Sequence, residues 1–267
     1  MLNKLLKYEL KATGRIFLPL FLALLLFAAI TRLISAISPE EWVTPAIISM
    51  IIYIVIMVGM FVMTLIMMIQ RFYQNLLTNE GYLMFTLPVK PWTHIVSKLL
   101  VSMFWIITSG IVAMISILII ALERGDLTEI IQGFASVYNH VFDVLGADLY
   151  LLSLEVFMIT LISIASGILF VYVSMAIGHL FSQHKILASF GAFIVLSALS
   201  QIFFLLVSLI PGSTEYINFH IVSANGLSGL QQATQQAIVY AIFFESLLCA
   251  AYFAVTNYIL SKRLNLE

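Results

Sequence analysis

Two acidic residues lie inside long apolar stretches, where a carboxylate can line a transport path or a subunit interface. Glu245 is near the middle of its stretch, and Glu155 is nearer one end of another. A charge at the centre of a bilayer costs about 2.5–3.5 kcal/mol, so such residues usually face a cavity or a partner. The alternative is a protonated glutamate bonded to a neighbouring helix. That alternative is favoured for Glu155, which can reach water, and both interpretations stay open for Glu245.

Motifs for catalysis or nucleotide binding are missing from the sequence. There is no GxxxxGK[ST] phosphate loop and no HExxH motif. The one cysteine, Cys249, provides neither a disulfide nor a metal-binding spacing. Ser166 could act as an intramembrane nucleophile only with a base from another helix, and the small residues around it are typical of close helix packing. We therefore expect no enzymatic activity, no metal and no cofactor in this chain.

The composition places these residues in a membrane protein. Of 267 residues, 62% are hydrophobic and 9% are charged, and the mean hydropathy is +1.10. Runs of eighteen or more apolar residues indicate membrane-spanning helices, which satisfy their own backbone hydrogen bonds. The sequence predicts an all-α protein, a single transmembrane domain over residues 1–267, with six spans near residues 16–37, 44–69, 98–122, 149–181, 185–210 and 236–260.

The distribution of Lys and Arg predicts the orientation. Arg32 and Arg124 fall on one side of the membrane, and the other ten basic residues fall on the opposite side. Because cytoplasmic loops carry the excess of basic residues, we expect both termini to be cytoplasmic, in a multi-pass protein of a bacterial plasma membrane. The ten are Lys4, Lys7, Lys11, Arg15, Arg71, Lys90, Lys98, Lys185, Lys262 and Arg263.

Residues 1–15 form an amphipathic pattern of their own. Lys4, Lys7, Lys11 and Arg15 fall on one helical face, opposite a row of leucines. This pattern predicts an interfacial elbow helix, separate from the first span, with its basic face toward anionic lipid headgroups. It could serve only as a topology anchor or also brace the first span.

Two external connections have patterns of interest. Apolar residues at helical spacing predict a short helix over residues 134–145. Residues 211–235 contain Asn225-Gly226 and Gly229. They predict a plain loop or a re-entrant segment, since broken backbone at membrane depth must be buried in protein or face a cavity.

The cytoplasmic connection between the second and third spans contains an apolar cluster at residues 79–89, Asn-Glu-Gly-Tyr-Leu-Met-Phe-Thr-Leu-Pro-Val. The segment is too short to cross a bilayer. An exposed apolar cluster of this kind usually indicates a partner surface. The alternative is a segment lying on the inner leaflet.

This layout resembles the ABC-2 type permeases, the membrane subunits of one class of ABC exporters, including the type V exporters. The likeness covers the whole chain in layout, and its specific residues lie within 80–89. The resemblance implies a cytosolic coupling helix that docks on an ATPase through Glu80, Gly81, Tyr82, Leu83, Phe85, Leu87 and Pro88. It also implies a second permease subunit, identical or similar, and ATP and Mg²⁺ held by the ATPase partner.

The expected function is that of an exporter subunit forming half of a path for an amphipathic or hydrophobic substrate, such as a peptide, a lipid-like molecule or a drug. Membrane lipid is an expected partner and nucleic acid is not. A non-transporting membrane sensor or accessory protein is the alternative, followed by an intramembrane enzyme. The sequence does not select the substrate, the direction of transport or a homo- or hetero-oligomer.

Overall fold

A computed structural model describes residues 2–37, 43–78, 90–121, 126–181, 183–208 and 219–262. Every regular element in these ranges is a helix, and six helices are long and apolar enough to cross a membrane. The predictions of an all-helical fold and a multi-pass membrane protein are therefore confirmed. The seven α-helices are α1 (Leu2–Ile37), α2 (Val43–Phe72), α3 (Pro91–Ala121), α4 (Asp126–Leu145), α5 (Asp148–Gly178), α6 (Lys185–Ser208) and α7 (Phe219–Lys262).

The first span and the predicted elbow form one helix. α1 runs without a break from Leu2 to Ile37, so the expected boundary after residue 15 is absent. Pro19 lies within the helix. A proline removes one N–H donor, but transmembrane helices tolerate it because neighbouring groups satisfy the freed carbonyl. The amphipathic start and the apolar span therefore share one helix.

The second and third spans are longer than predicted. A five-residue π-helical turn, Tyr73–Leu77, continues α2. α3 begins at Pro91, seven residues before the predicted start at residue 98. Proline suits the first helical position because its missing N–H would have no partner there. The predicted docking residues Glu80, Gly81, Tyr82, Leu83, Phe85, Leu87 and Pro88 lie outside the described residues.

α5 and α6 form a tight hairpin. Gly178 at the end of α5 packs directly on the backbone of Ser189 in α6, so closely that a β-carbon would overlap it. His184 adopts a left-handed conformation with φ of 56° just before α6. The hairpin thus depends on the absence of a side chain at residue 178.

The last helix extends well beyond the predicted span. α7 has 44 residues and begins at Phe219, so residues 219–235 are helical rather than a loop or a re-entrant break. The glycines within this stretch suggested a break, but an interior glycine costs a helix only about 1 kcal/mol. At 1.5 Å per residue α7 is about 66 Å long, roughly twice the hydrocarbon thickness.

The described residues divide into two compact units. In the first, α1 packs on α2 and α3, and α2 also contacts α3. Its apolar core includes Phe17, Phe21, Leu24, Met60 and Trp105. In the second, α5 packs on both α6 and α7, and Phe170 contacts Phe193 and Tyr252 with ring centroids 4.8 and 5.5 Å apart.

Candidate functional site

A row of polar side chains on α3 lies buried inside the first unit. Lys98, Trp105, Ser109 and Ser116 recur at intervals of seven and four residues, which places them on one helical face. All four are less than one tenth exposed. From Lys98 to Ser116 the row extends about 27 Å at 1.5 Å per residue, close to the hydrocarbon thickness. We call these four residues the α3 polar seam.

Each member of the α3 polar seam contacts a polar side chain of α1 or α2. Hydrogen bonds between transmembrane helices contribute about 0.6 kcal/mol each to stability on average. The four contacts together determine how α1, α2 and α3 pack on one another. The four pairs are Lys98 Nζ with Glu9 Oε1 at 2.8 Å, Trp105 Nε1 with Thr13 Oγ1 at 2.7 Å, Ser109 Oγ with Thr64 Oγ1 at 3.1 Å, and Ser116 Oγ with the Tyr53 hydroxyl at 2.8 Å.

The ion pair at the start of the seam is the most consequential contact. Lys98 is 3% exposed and Glu9 is 12% exposed. Asn75, in the π-helical turn after α2, donates a second hydrogen bond to the same Glu9 Oε1 atom at 3.2 Å. A buried pair is costly to break because the remaining charge has no water to replace its partner. Glu9 therefore holds residues from α3 and from the end of α2 against α1.

Thr13 connects this ion pair to the apolar core. Its hydroxyl accepts the Trp105 indole N–H and donates to the Glu9 carbonyl oxygen at 2.7 Å. The Trp105 ring stacks on Phe17 with a centroid separation of 4.4 Å. Gly14 lies beside the same ring, and a β-carbon there would be in ordinary van der Waals contact with the indole at 3.7 Å. We refer to Glu9, Thr13, Asn75, Lys98 and Trp105 as the Glu9 cluster.

A small cavity adjoins the Glu9 cluster within the first unit. Its volume is about 20 Å³, and Arg71, Met67 and Thr64 contribute to its lining together with Glu9 and Lys98. A cavity of about 10–15 Å³ or more with polar partners can hold one water molecule. The cavity is thus large enough for one water and too small for an organic substrate.

The structure separates the predicted basic face from this cluster. Lys4, Lys7, Lys11 and Arg15 are all exposed, while Leu6 and Leu10 of the same helix pack against the core of the first unit. The amphipathic pattern is therefore present, although it belongs to α1 and not to a separate elbow.

The two predicted intramembrane acids belong to the second unit, away from the Glu9 cluster in sequence. Glu155 on α5 and Glu245 on α7 are both half-buried. The Oε2 atom of Glu155 is buried without a hydrogen-bond partner among the described residues. Within the parts of the chain that the structure describes, no group of three His, Cys, Asp or Glu side chains could hold a metal ion.

Sequence reasoning missed Glu9, Thr13, Asn75 and Trp105, and it treated Lys98 only as a basic residue at a span end. One signal was present. Glu9 is the only acidic residue before Glu40, and it lies among four basic residues. A lone acid in a basic helix suggests a specific cation partner, but the sequence does not identify Lys98, 89 residues away.

Comparisons with protein-family models, with curated proteins and with solved structures found no match for this chain.

Proposed function

We propose that this chain is the membrane subunit of an ATP-driven exporter and that residues 79–89 dock on a separate ATPase. The observation that carries the proposal is that Glu9 Oε1 accepts hydrogen bonds from two residues. Asn75 lies four residues before the segment 79–89 and Lys98 lies nine residues after it, and both donate to this one atom. Both flanks of the predicted docking segment are thereby attached to α1.

This attachment supports a mechanical role for the segment. A segment that receives force from a soluble partner must pass it to the spans without yielding at its ends. A buried, hydrogen-bonded ion pair resists separation, because breaking it costs about 3–5 kcal/mol. Displacement of residues 79–89 would therefore move the ends of α2 and α3 together with α1.

The remaining parts of the proposal follow from the charge pattern and the family resemblance. The ten basic residues assign the docking segment and both termini to the cytoplasm, where ATP is available. The ATPase partner would hold ATP and Mg²⁺, and a second permease subunit would complete the path. A path lined by spans with few charges suits an amphipathic or hydrophobic substrate.

Co-purification with a P-loop ATPase, which we expect to be encoded beside this gene, tests the proposal. We expect the two proteins to purify as a complex and the double variant Tyr82→Asp/Phe85→Asp to lose the ATPase. Charge on apolar anchors should abolish docking because such anchors usually provide most of the binding energy. The matched variant Tyr82→Phe/Phe85→Tyr, which keeps aromatic rings at both positions, should retain it. An intact complex in the aspartate variant would show that the segment does not dock.

A second readout separates docking from force transmission. The variant Glu9→Gln should leave the complex intact, since Glu9 is buried within the first unit and outside residues 79–89. It should lower the stimulation of ATP hydrolysis by the membrane subunit. Unchanged stimulation in Glu9→Gln would refute the mechanical role while leaving the docking assignment in place.

A further inference from the structure

The helix α4 presents an apolar face that protein does not cover. Ile131, Phe134, Val137, Tyr138 and Phe142 lie within one arc of the helix and are 39–72% exposed. Gln132, Ser136, Asn139 and Asp143 lie on the opposite face. A helix whose apolar and polar residues separate in this way is typical of membrane interfaces. The face is too apolar to be left in water without a partner.

Aromatic contacts fix α4 to the start of α5 within the second unit. The rings of Tyr138 and Phe142 stack with centroids 6.2 Å apart, and Phe142 meets Tyr150 edge-on at 6.3 Å. A hydrogen bond with Tyr150 raises the pKa of Tyr138. Tyrosine is enriched where hydrocarbon meets water, because its ring is apolar and its hydroxyl is polar. These three rings therefore have the composition of a membrane-interface belt.

The corner between the two helices is equally specific. Gly146 has φ of 56°, and its N–H donates to the Phe142 carbonyl oxygen at 2.7 Å. This is the left-handed helix cap that glycine favours. It turns the chain from α4 into α5 over two residues, 146 and 147, so that α4 stays next to the membrane end of α5.

α4 follows one candidate span in the chain and precedes another. α3 ends at Ala121 and α5 begins at Asp148, and both helices are candidate spans. α4 itself is about 30 Å long. α4 is not among the six candidate spans of the described residues, and lying flat on the membrane would bring its apolar face to the lipid.

The charge of this region selects the kind of lipid. Residues 126–148 include four acidic residues and no Lys or Arg. Amphipathic helices that bind anionic lipids carry Lys and Arg on the polar face. The exposed apolar face is also continuous in sequence with exposed apolar residues of α5, a candidate span, including Tyr150, Leu151 and Leu154.

We propose that α4 is a lipid-binding helix that lies in the membrane surface and inserts its apolar face among zwitterionic lipids. The apolar side chains lie about 5–10 Å deep at the boundary of headgroups and acyl chains. The acidic face points to water and is repelled by anionic headgroups. The helix thereby anchors the entry of α5 to one leaflet.

Spin labels on single cysteines test this placement in the full-length chain. Cys249→Ser removes the only native cysteine, and labels are then placed at Phe134 and Val137 on one face and at Asn139 and Asp143 on the other. The protein is reconstituted into phosphatidylcholine vesicles. Accessibility is measured to oxygen, which concentrates in the bilayer, and to a water-soluble nickel chelate. A label at Tyr8, which is exposed near the start of α1, lies outside α4. The accessibilities measured on α4 are compared with its accessibility to the same two reagents.

We expect oxygen to be the more accessible reagent at residues 134 and 137, and the chelate to be the more accessible one at residues 139 and 143. Replacing half of the phosphatidylcholine with phosphatidylglycerol at low salt should shift the labels at 134 and 137 toward the chelate, and added salt should reverse the shift.

Preferential access of the chelate at all four positions in phosphatidylcholine would overturn the proposal. So would protection of residues 134 and 137 from both reagents, which would indicate a protein partner or a second copy on this face. Insensitivity to phosphatidylglycerol would overturn the choice of zwitterionic lipid.

Discussion

Replacing only one residue of the Glu9–Lys98 ion pair should destabilise the protein strongly, because the other charge stays buried without its partner. In Lys98→Met, the Glu9 carboxylate, which is 12% exposed in the native structure, loses the donor at 2.8 Å. Removing one partner of a buried pair costs about 3–5 kcal/mol, and we expect the lower end because Glu9 retains the bond from Asn75. A loss of about 3 kcal/mol lowers the folding equilibrium constant roughly a hundredfold.

The double variant distinguishes an ion pair from two independent side chains. Glu9→Gln leaves Lys98 buried and unmatched, so it should also cost about 3 kcal/mol. Glu9→Gln/Lys98→Met removes both charges, and replacing a buried pair by neutral groups of similar size is often nearly neutral. We therefore expect the double variant to recover most of the stability that either single variant loses.

The measurement is reversible unfolding in mixed micelles by titration with sodium dodecyl sulfate, followed by tryptophan fluorescence and circular dichroism. Lys90→Met is the control, since Lys90 is an exposed lysine shortly before α3. It should change the free energy of unfolding by less than about 0.5 kcal/mol. A similarly small effect of Lys98→Met, or strictly additive effects in the double variant, would refute the reasoning.

Two further predictions concern the α5–α6 hairpin. Gly178→Ala should destabilise the protein by about 1–3 kcal/mol, because its β-carbon would overlap the Ser189 backbone. Gly167→Ala, where no atom lies within 4 Å of the added carbon, should be neutral or stabilising in the same unfolding assay. Burial, and then the charge of Lys185, lowers the pKa of His179 below its usual 6.5. The unfolded chain then binds more protons, so stability should fall as the pH drops through about 6.5, and His179→Gln should lose that dependence.

These two predictions have clear contrary outcomes. Equal unfolding free energies for the two glycine variants would mean that the backbones do not meet closely at residue 178. An unchanged pH dependence in the glutamine variant would mean that another group titrates with the unfolding transition.

Hydropathy was enough to predict the six spans, because crossing a bilayer requires long apolar helices whatever the rest of the chain does. Helix ends were harder to predict. The basic start of α1 and the glycine-containing start of α7 suggested boundaries that the structure lacks. In both places the helical hydrogen bonds that the backbone keeps stabilise the helix more than the unfavourable local residues destabilise it. The residue types alone do not reveal that balance.

The candidate site could be predicted only in part. Lys98 was recognised as a charge at a span end, but its pairing with Glu9 joins residues 89 positions apart. Asn75 and Thr13 are ordinary polar residues until the packing of three helices brings them together. The short helix expected over residues 134–145 exists and begins earlier, at Asp126. Leu127, Ile130 and Ile131 continue the apolar spacing before Phe134, so the sequence also contained the signal for the earlier start.

Photo-crosslinking from Phe85 asks what residues 79–89 contact in the cell. A photoreactive phenylalanine analogue at residue 85 in living cells should capture a P-loop ATPase, identified by mass spectrometry. The same analogue at Phe134 on α4 should not capture it. Crosslinks from residue 85 to lipid alone would contradict the docking role and favour a segment that lies on the inner leaflet.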